Sequence, residues 1–248
     1  MPDFNLSPVR YTRFIRVAFA LPQKDEVNNP ELYVSDPARL VSHFARLCRE
    51  FVALPKQFSL PQLNKGLWSL LSGEIQFGKY LADDAIPLNA RLDCVNAMLV
   101  PFRDFVALCE VEEMENCFYM WWHLLARAFW HTQRWNAKED ELMSAMFGDD
   151  DSGDADFEID QERLDSIEIS IDDLSDDGRA VLNAMLNVLL QIAVLDDERT
   201  VSYALHGLGH LRHPEASAWL QNFIDAHRDD FDEPSLQWLE QCRDGTVM

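Results

Sequence analysis

Apolar residues spaced three and four apart recur along almost the whole chain, and that spacing constrains the fold to packed helices. In SDPARLVSHFARLCREFVAL, Leu40, Val41, Phe44, Leu47 and Phe51 fall on one helical face, with Asp36 placed to cap and Pro37 at the first helical position. SLPQLNKGLWSLLSG repeats the design: Ser59 caps, Pro61 sits in the first turn, Leu63, Leu67, Leu70 and Leu71 form the stripe, and Gly73 stops it. The same periodicity predicts helices over about 86–108 with a break at Pro101, then 114–134, 137–147, 179–195, 198–212, 215–227 and 233–243. Only RFIRVAFAL alternates enough to compete as a strand, and it stays ambiguous. The expected fold class is all-α.

Charge divides the chain. Across 248 residues the 43 acidic side chains outnumber 21 basic ones, a net charge of −22. Such a surface repels nucleic acid and anionic membranes and attracts basic proteins or cations. Residues 149–177 hold fourteen of the acids and one arginine. A run of that kind repels itself and buries little, which predicts a mobile loop between a helical section at 1–148 and another at 178–248 of one continuous fold. Asp149, Asp150, Asp151, Asp154, Asp156, Asp172, Asp173, Asp176 and Asp177 are its candidate contacts to a basic partner. A calcium loop fails on register, because counting from Asp149 puts Gly153 at position five instead of six.

The longest apolar run, CFYMWWHLLARAFW, is broken by His123 and Arg127 and is too short to span a bilayer. A helix so apolar all round reads as the centre of a bundle, with an aromatic anchor at Trp121 and Trp122 as the alternative. Arg127, His131 and Arg134 beside it anchor buried acids or reach to water. Five cysteines with no close pairing predict reduced, mostly buried thiols. With no secretory-type apolar run near the start, the expected compartment is the cytoplasm. No phosphate-binding glycine loop or nucleophile elbow occurs, and no cofactor is expected.

Three histidines crowd ALHGLGHLRHPEASAWL. On a helical wheel Val201, Ala204, Leu205, Leu208 and Leu211 cluster on one side, while His206, His210 and His213 share an opposite stripe about 60° wide. The imidazoles therefore stand outside that apolar face, toward solvent or a second surface. The i, i+4 spacing brings His206 and His210 within reach of one metal ion; Pro214 takes His213 away from helical geometry.

The apolar side of the same stretch resembles a HEAT repeat of the phycobilisome-lyase type. Ala204, Gly207, Leu208, Gly209 and Leu211 match its first helix, and Pro214, Ala216, Leu220, Ile224 and Asp225 match its turn and second helix. The arginine usual near the start of the first helix is Val201 here, with Arg199 two residues early. The resemblance implies an irregular α-solenoid of stacked helical hairpins with a HEAT-like C-terminal section. The HEAT-repeat hydroxylases that carry di-iron through His-Glu dipeptides are set aside, since no such dipeptide occurs.

Two functional expectations follow. The first is a non-enzymatic scaffold or inhibitor that recognises a basic macromolecule, for example an immunity-type protein covering a cationic nuclease or toxin. The second is a metal-dependent enzyme or metal sensor using His206 and His210, with His213 and a carboxylate from a neighbouring helix.

Overall fold

The computed structural model describes residues 4–20, 32–73, 75–110, 112–147 and 166–247. These residues are all-helical, and their β-structure is limited to one isolated parallel bridge between Asn5 and Tyr33. The helices are α1 Tyr11–Phe19, α2 Pro37–Arg49, α3 Leu60–Leu71, α4 Gly78–Leu81, α5 Leu88–Ala97, α6 Leu99–Asp104, α7 Glu115–Phe147, α8 Asp176–Ile192, α9 Glu198–Leu211, α10 Pro214–His227 and α11 Glu233–Asp244. None is long and apolar enough to cross a membrane.

Most of the periodic segments become helices where their spacing requires. Asp36 accepts a hydrogen bond from the Arg39 amide at the start of α2, with Pro37 behind it, and Ser59 and Gln62 form a capping box on α3. The ambiguous RFIRVAFAL is helical, because Phe14, Ile15, Ala18 and Phe19 then share one buried face. The stretch 86–108 divides at Met98 into α5 and α6, three residues ahead of Pro101. The two helices expected at 114–134 and 137–147 run on as α7, whose backbone leaves helical angles only at Lys138.

α7 is the axis of the molecule. Its first half buries Cys117, Phe118, Trp121, Trp122, Leu125 and Phe129, and Phe102 meets both Phe118 and Trp121 edge-on. Trp121 and Trp122 are 0 % and 1 % exposed, so the aromatic-anchor alternative is corrected: these indoles fill the core and reach no partner. Truncating either to alanine is expected to cost about 3–5 kcal/mol. α9 packs most extensively against α7, while α8 lies against α5 and α9. One apolar cluster joins Leu6 near one end to Val247 near the other. Cys48, Cys94, Cys117 and Cys242 are buried, Cys109 is exposed, and none forms a disulfide.

The acidic run is not uniform. Asp149, Asp150, Asp151, Asp154 and Asp156 lie outside the described residues. From Ile167 onward the chain packs: Ile167 and Leu174 are buried, and Ile169 and Ile171 rest on the core. α8 begins at Asp176, inside the expected loop. Asp177 and Asp84 pair with Arg91, at 2.5 and 2.9 Å, and that guanidinium is fully buried. The expectation that the whole run buries little is therefore corrected for its last dozen residues, where apolar side chains alternate with the acids and a core cation attracts one of them. Asp172, Asp173 and Asp176 stay exposed, with Asp173 accepting from the Ser170 amide at 2.7 Å.

Candidate metal centre

The site begins with a glycine. A Cβ placed on Gly207 would stand 2.6 Å from Trp122 Cβ, closer than nonbonded carbons approach, so α9 meets α7 at that level only because position 207 has no side chain. Gly209, two residues on, lets the other side of α9 close on α11, where a Cβ would lie 2.9 Å from Cys242 Cα. Buried on both sides, α9 has no solvent-facing stripe left at residue 206.

His206 is consequently 0 % exposed, and the expectation that these imidazoles stand outside the core is corrected. The second surface they face is α7. The His206 ring stacks on Tyr119 with centroids 3.9 Å apart, and its Nδ1 lies 3.1 Å from the Tyr119 carbonyl oxygen. One turn farther along each helix, His123 on α7 meets His210 on α9. His210 Nε2 is 2.8 Å from His123 Nδ1 and 3.1 Å from His206 Nε2. Three ring nitrogens thus lie within 4.8 Å of one another, and among the described residues no thiol or carboxylate joins them.

Proton accounting shows what this triangle can hold. A carbonyl oxygen only accepts, so His206 Nδ1 carries the hydrogen directed at Tyr119. Burial pushes the His206 imidazolium down to about 4, with the neighbouring His123 adding to the shift. At neutral pH the ring is therefore uncharged, and its Nε2 presents a lone pair to the other two rings. Burial, followed by His123, His206 and Arg212, pushes His210 to about 3. His123 is lowered as well, by burial and then by Arg127. Without a metal, a single N–H on His210 Nε2 would serve both neighbours; for a cation to stand among three lone pairs, His210 would carry that proton on Nδ1 instead. Tetrahedral zinc at its usual Zn–N distance would separate ligand nitrogens by about 3.3 Å, a few tenths of an ångström beyond the two spacings that His210 Nε2 makes. The carbonyl behind His206 is the outer partner that metal-bound imidazoles commonly use to hold tautomer and orientation.

His213 takes no part. Its Nδ1 accepts from the Glu215 amide at 3.1 Å as the N-cap of α10, and its Nε2 faces Asn183 Oδ1 at 2.9 Å. Both nitrogens are used, and the residue lies past the turn at Arg212, whose φ of 53° ends α9 in the left-handed region. Trp130 Nε1 donates to the Leu211 carbonyl at 2.9 Å and ties that turn to α7.

His123 and His210 line a cavity of about 420 Å³ together with Arg127, His131, Arg134, Arg212 and Glu168. In a chain where acids outnumber bases about two to one, three arginines against one carboxylate among the described residues of this lining are a local inversion of charge. The candidate site residue missed by sequence reasoning is His123. Its signal was a polar row in an otherwise apolar helix: His123, Arg127, His131 and Arg134 recur at helical spacing through the tryptophan-rich run.

Compared with known protein families, curated proteins and solved structures, the chain matches none.

Proposed function

We propose that the protein binds a divalent transition metal, of the zinc type, through His123, His206 and His210, and presents its open coordination position to a small ligand. The observation that carries this reading is the convergence of three uncharged ring nitrogens with the His206 tautomer held by Tyr119. A structural zinc site closes with four protein ligands, whereas three leave a position for water or a ligand. That position adjoins a cavity whose size falls in the range of small-molecule sites. Bound water there would have its proton affinity lowered by the metal, which makes hydrolytic chemistry available to the same centre.

Metal titration of chelator-treated protein tests the reading. About one equivalent of zinc or cobalt is expected to bind, with His123→Ala and His210→Ala each weakening binding more than ~10-fold. Binding that survives both substitutions would refute it.

A second reading retains the basic macromolecular partner, and a specific groove supports it. Leu195, Val201, Leu205, Phe231 and Trp238 line a depression of about 690 Å³ edged by Asp196, Glu198 and Asp230. An apolar floor with an acidic rim complements an amphipathic cationic segment. On this reading α9 and α10 form a HEAT-like hairpin in an irregular array of helical pairs, supported by the close approaches at Gly207 and Gly209 and by Pro214 at the second helix start. Free cysteines suit a reducing cytoplasm, where an immunity-type inhibitor would meet its cationic target. Association that weakens steeply with added salt would support this reading, and salt-independent association would oppose it.

A further inference from the structure

We propose that the ligand completing the metal centre is a phosphate group, held against the ion by the guanidinium groups of Arg127 and Arg212. The inference rests on the metal reading and names the ligand class of that same site.

Charge selects the class. Arg127 projects from α7 one turn beyond His123, and Arg212 follows the last turn of α9, two residues after His210. Both line the cavity that His123 and His210 open onto, and Arg134 lines it too. Among the described residues the guanidinium groups of Arg127 and Arg212 form no ion pair or hydrogen bond, whereas those of Arg39, Arg46, Arg49, Arg91, Arg103 and Arg179 pair with carboxylates. Among the described residues Glu168 is the one carboxylate of the lining. A divalent ion and the guanidinium groups of Arg127 and Arg212 against that carboxylate leave an excess of positive charge, which a dianion offsets better than a monoanion.

Geometry agrees with charge. A guanidinium donates two parallel N–H bonds to a tetrahedral or planar oxyanion, and the metal takes a further oxygen. Phosphate has oxygens enough for the ion and both arginines at once, while a single carboxylate has only two. Arg212 is set in place by its left-handed turn, which Trp130 braces from α7.

Cobalt-loaded full-length protein provides the test, since the visible spectrum of cobalt responds to a new ligand. Inorganic phosphate and phenyl phosphate are titrated at constant ionic strength, with acetate alongside. Saturable spectral shifts with the phosphates, at least tenfold tighter than with acetate, are the expected result. Tighter phenyl phosphate assigns the group to an organic phosphomonoester, and tighter inorganic phosphate to the free ion. The Arg127→Ala/Arg212→Ala double variant is expected to bind cobalt as the parent does and to lose phosphate affinity at least tenfold. Acetate binding as tightly as phosphate, or full phosphate affinity in the double variant, overturns the ligand assignment while leaving the metal centre standing. Failure to bind cobalt at all removes the metal reading and this inference with it.

Discussion

Gly207 and Trp122 are in contact across α9 and α7, with the missing Cβ of one occupied by the tryptophan side chain of the other. That contact sets the distance between the helix carrying His123 and the helix carrying His206 and His210. Gly207→Ala is expected to destabilise the fold by about 1–3 kcal/mol, because the nearest atom is Trp122 Cβ, which cannot swing aside as a side-chain tip would. It should also weaken zinc binding several-fold by pushing His210 away from His123. Denaturant unfolding with a zinc titration checks both, and an unchanged zinc affinity would separate the glycine from the centre.

His213 offers a control on the same stretch. His213→Ala removes the N-cap of α10 and is expected to cost about 1 kcal/mol of stability. Metal stoichiometry and affinity should stay at the parent values, since neither of its ring nitrogens approaches the triangle. Loss of metal in this variant, with the fold intact by circular dichroism, would contradict the assigned ligand set.

The metal-free protein should weaken on mild acidification. Unfolded histidine takes up its proton near 6.5, whereas folded His206 does so only near 4 and folded His210 only near 3. Between those values the unfolded chain binds more protons, so stability is full above about pH 6.5 and is lost as the pH falls toward 4. Chemical unfolding at pH 7.5, 6 and 5 is expected to show that decline before most carboxylates titrate. A His206→Asn/His210→Asn variant should show a flatter profile, and an equally steep one would place the proton uptake elsewhere.

Neighbouring acids at the start of α8 should differ sharply. Asp177→Ala removes a partner from buried Arg91 and is expected to cost about 1–3 kcal/mol, tempered by the remaining bond to Asp84. Asp176→Ala changes a side chain that is 96 % exposed and should stay within about 0.5 kcal/mol of the parent. Equal effects in thermal or denaturant unfolding would mean that the Arg91 pairing contributes nothing.

Helix positions were legible because they depend on neighbours three and four residues away. Asp36, Ser59 and Pro214 mark helix starts in the sequence as they do in the fold. The pairing of His206 with His210 was legible for the same reason. Composition misled at residues 166–177, where counting acids concealed the alternation of Ile167, Ile169, Ile171 and Leu174 that docks the segment. It misled again at His206, where a one-sided apolar stripe hid the fact that small residues allow burial on the opposite side as well.

By itself the sequence determined an all-helical chain, its caps and breaks, and two imidazoles one turn apart on α9, since each of these follows from local backbone geometry. Only the tertiary structure decided that His123, 87 residues before His210, supplies the third nitrogen and that Arg127 and Arg212 share its cavity. Those contacts depend on how closely two helices dock, and that distance is set by the shapes of Gly207 and Trp122 together, a property that neither segment carries alone.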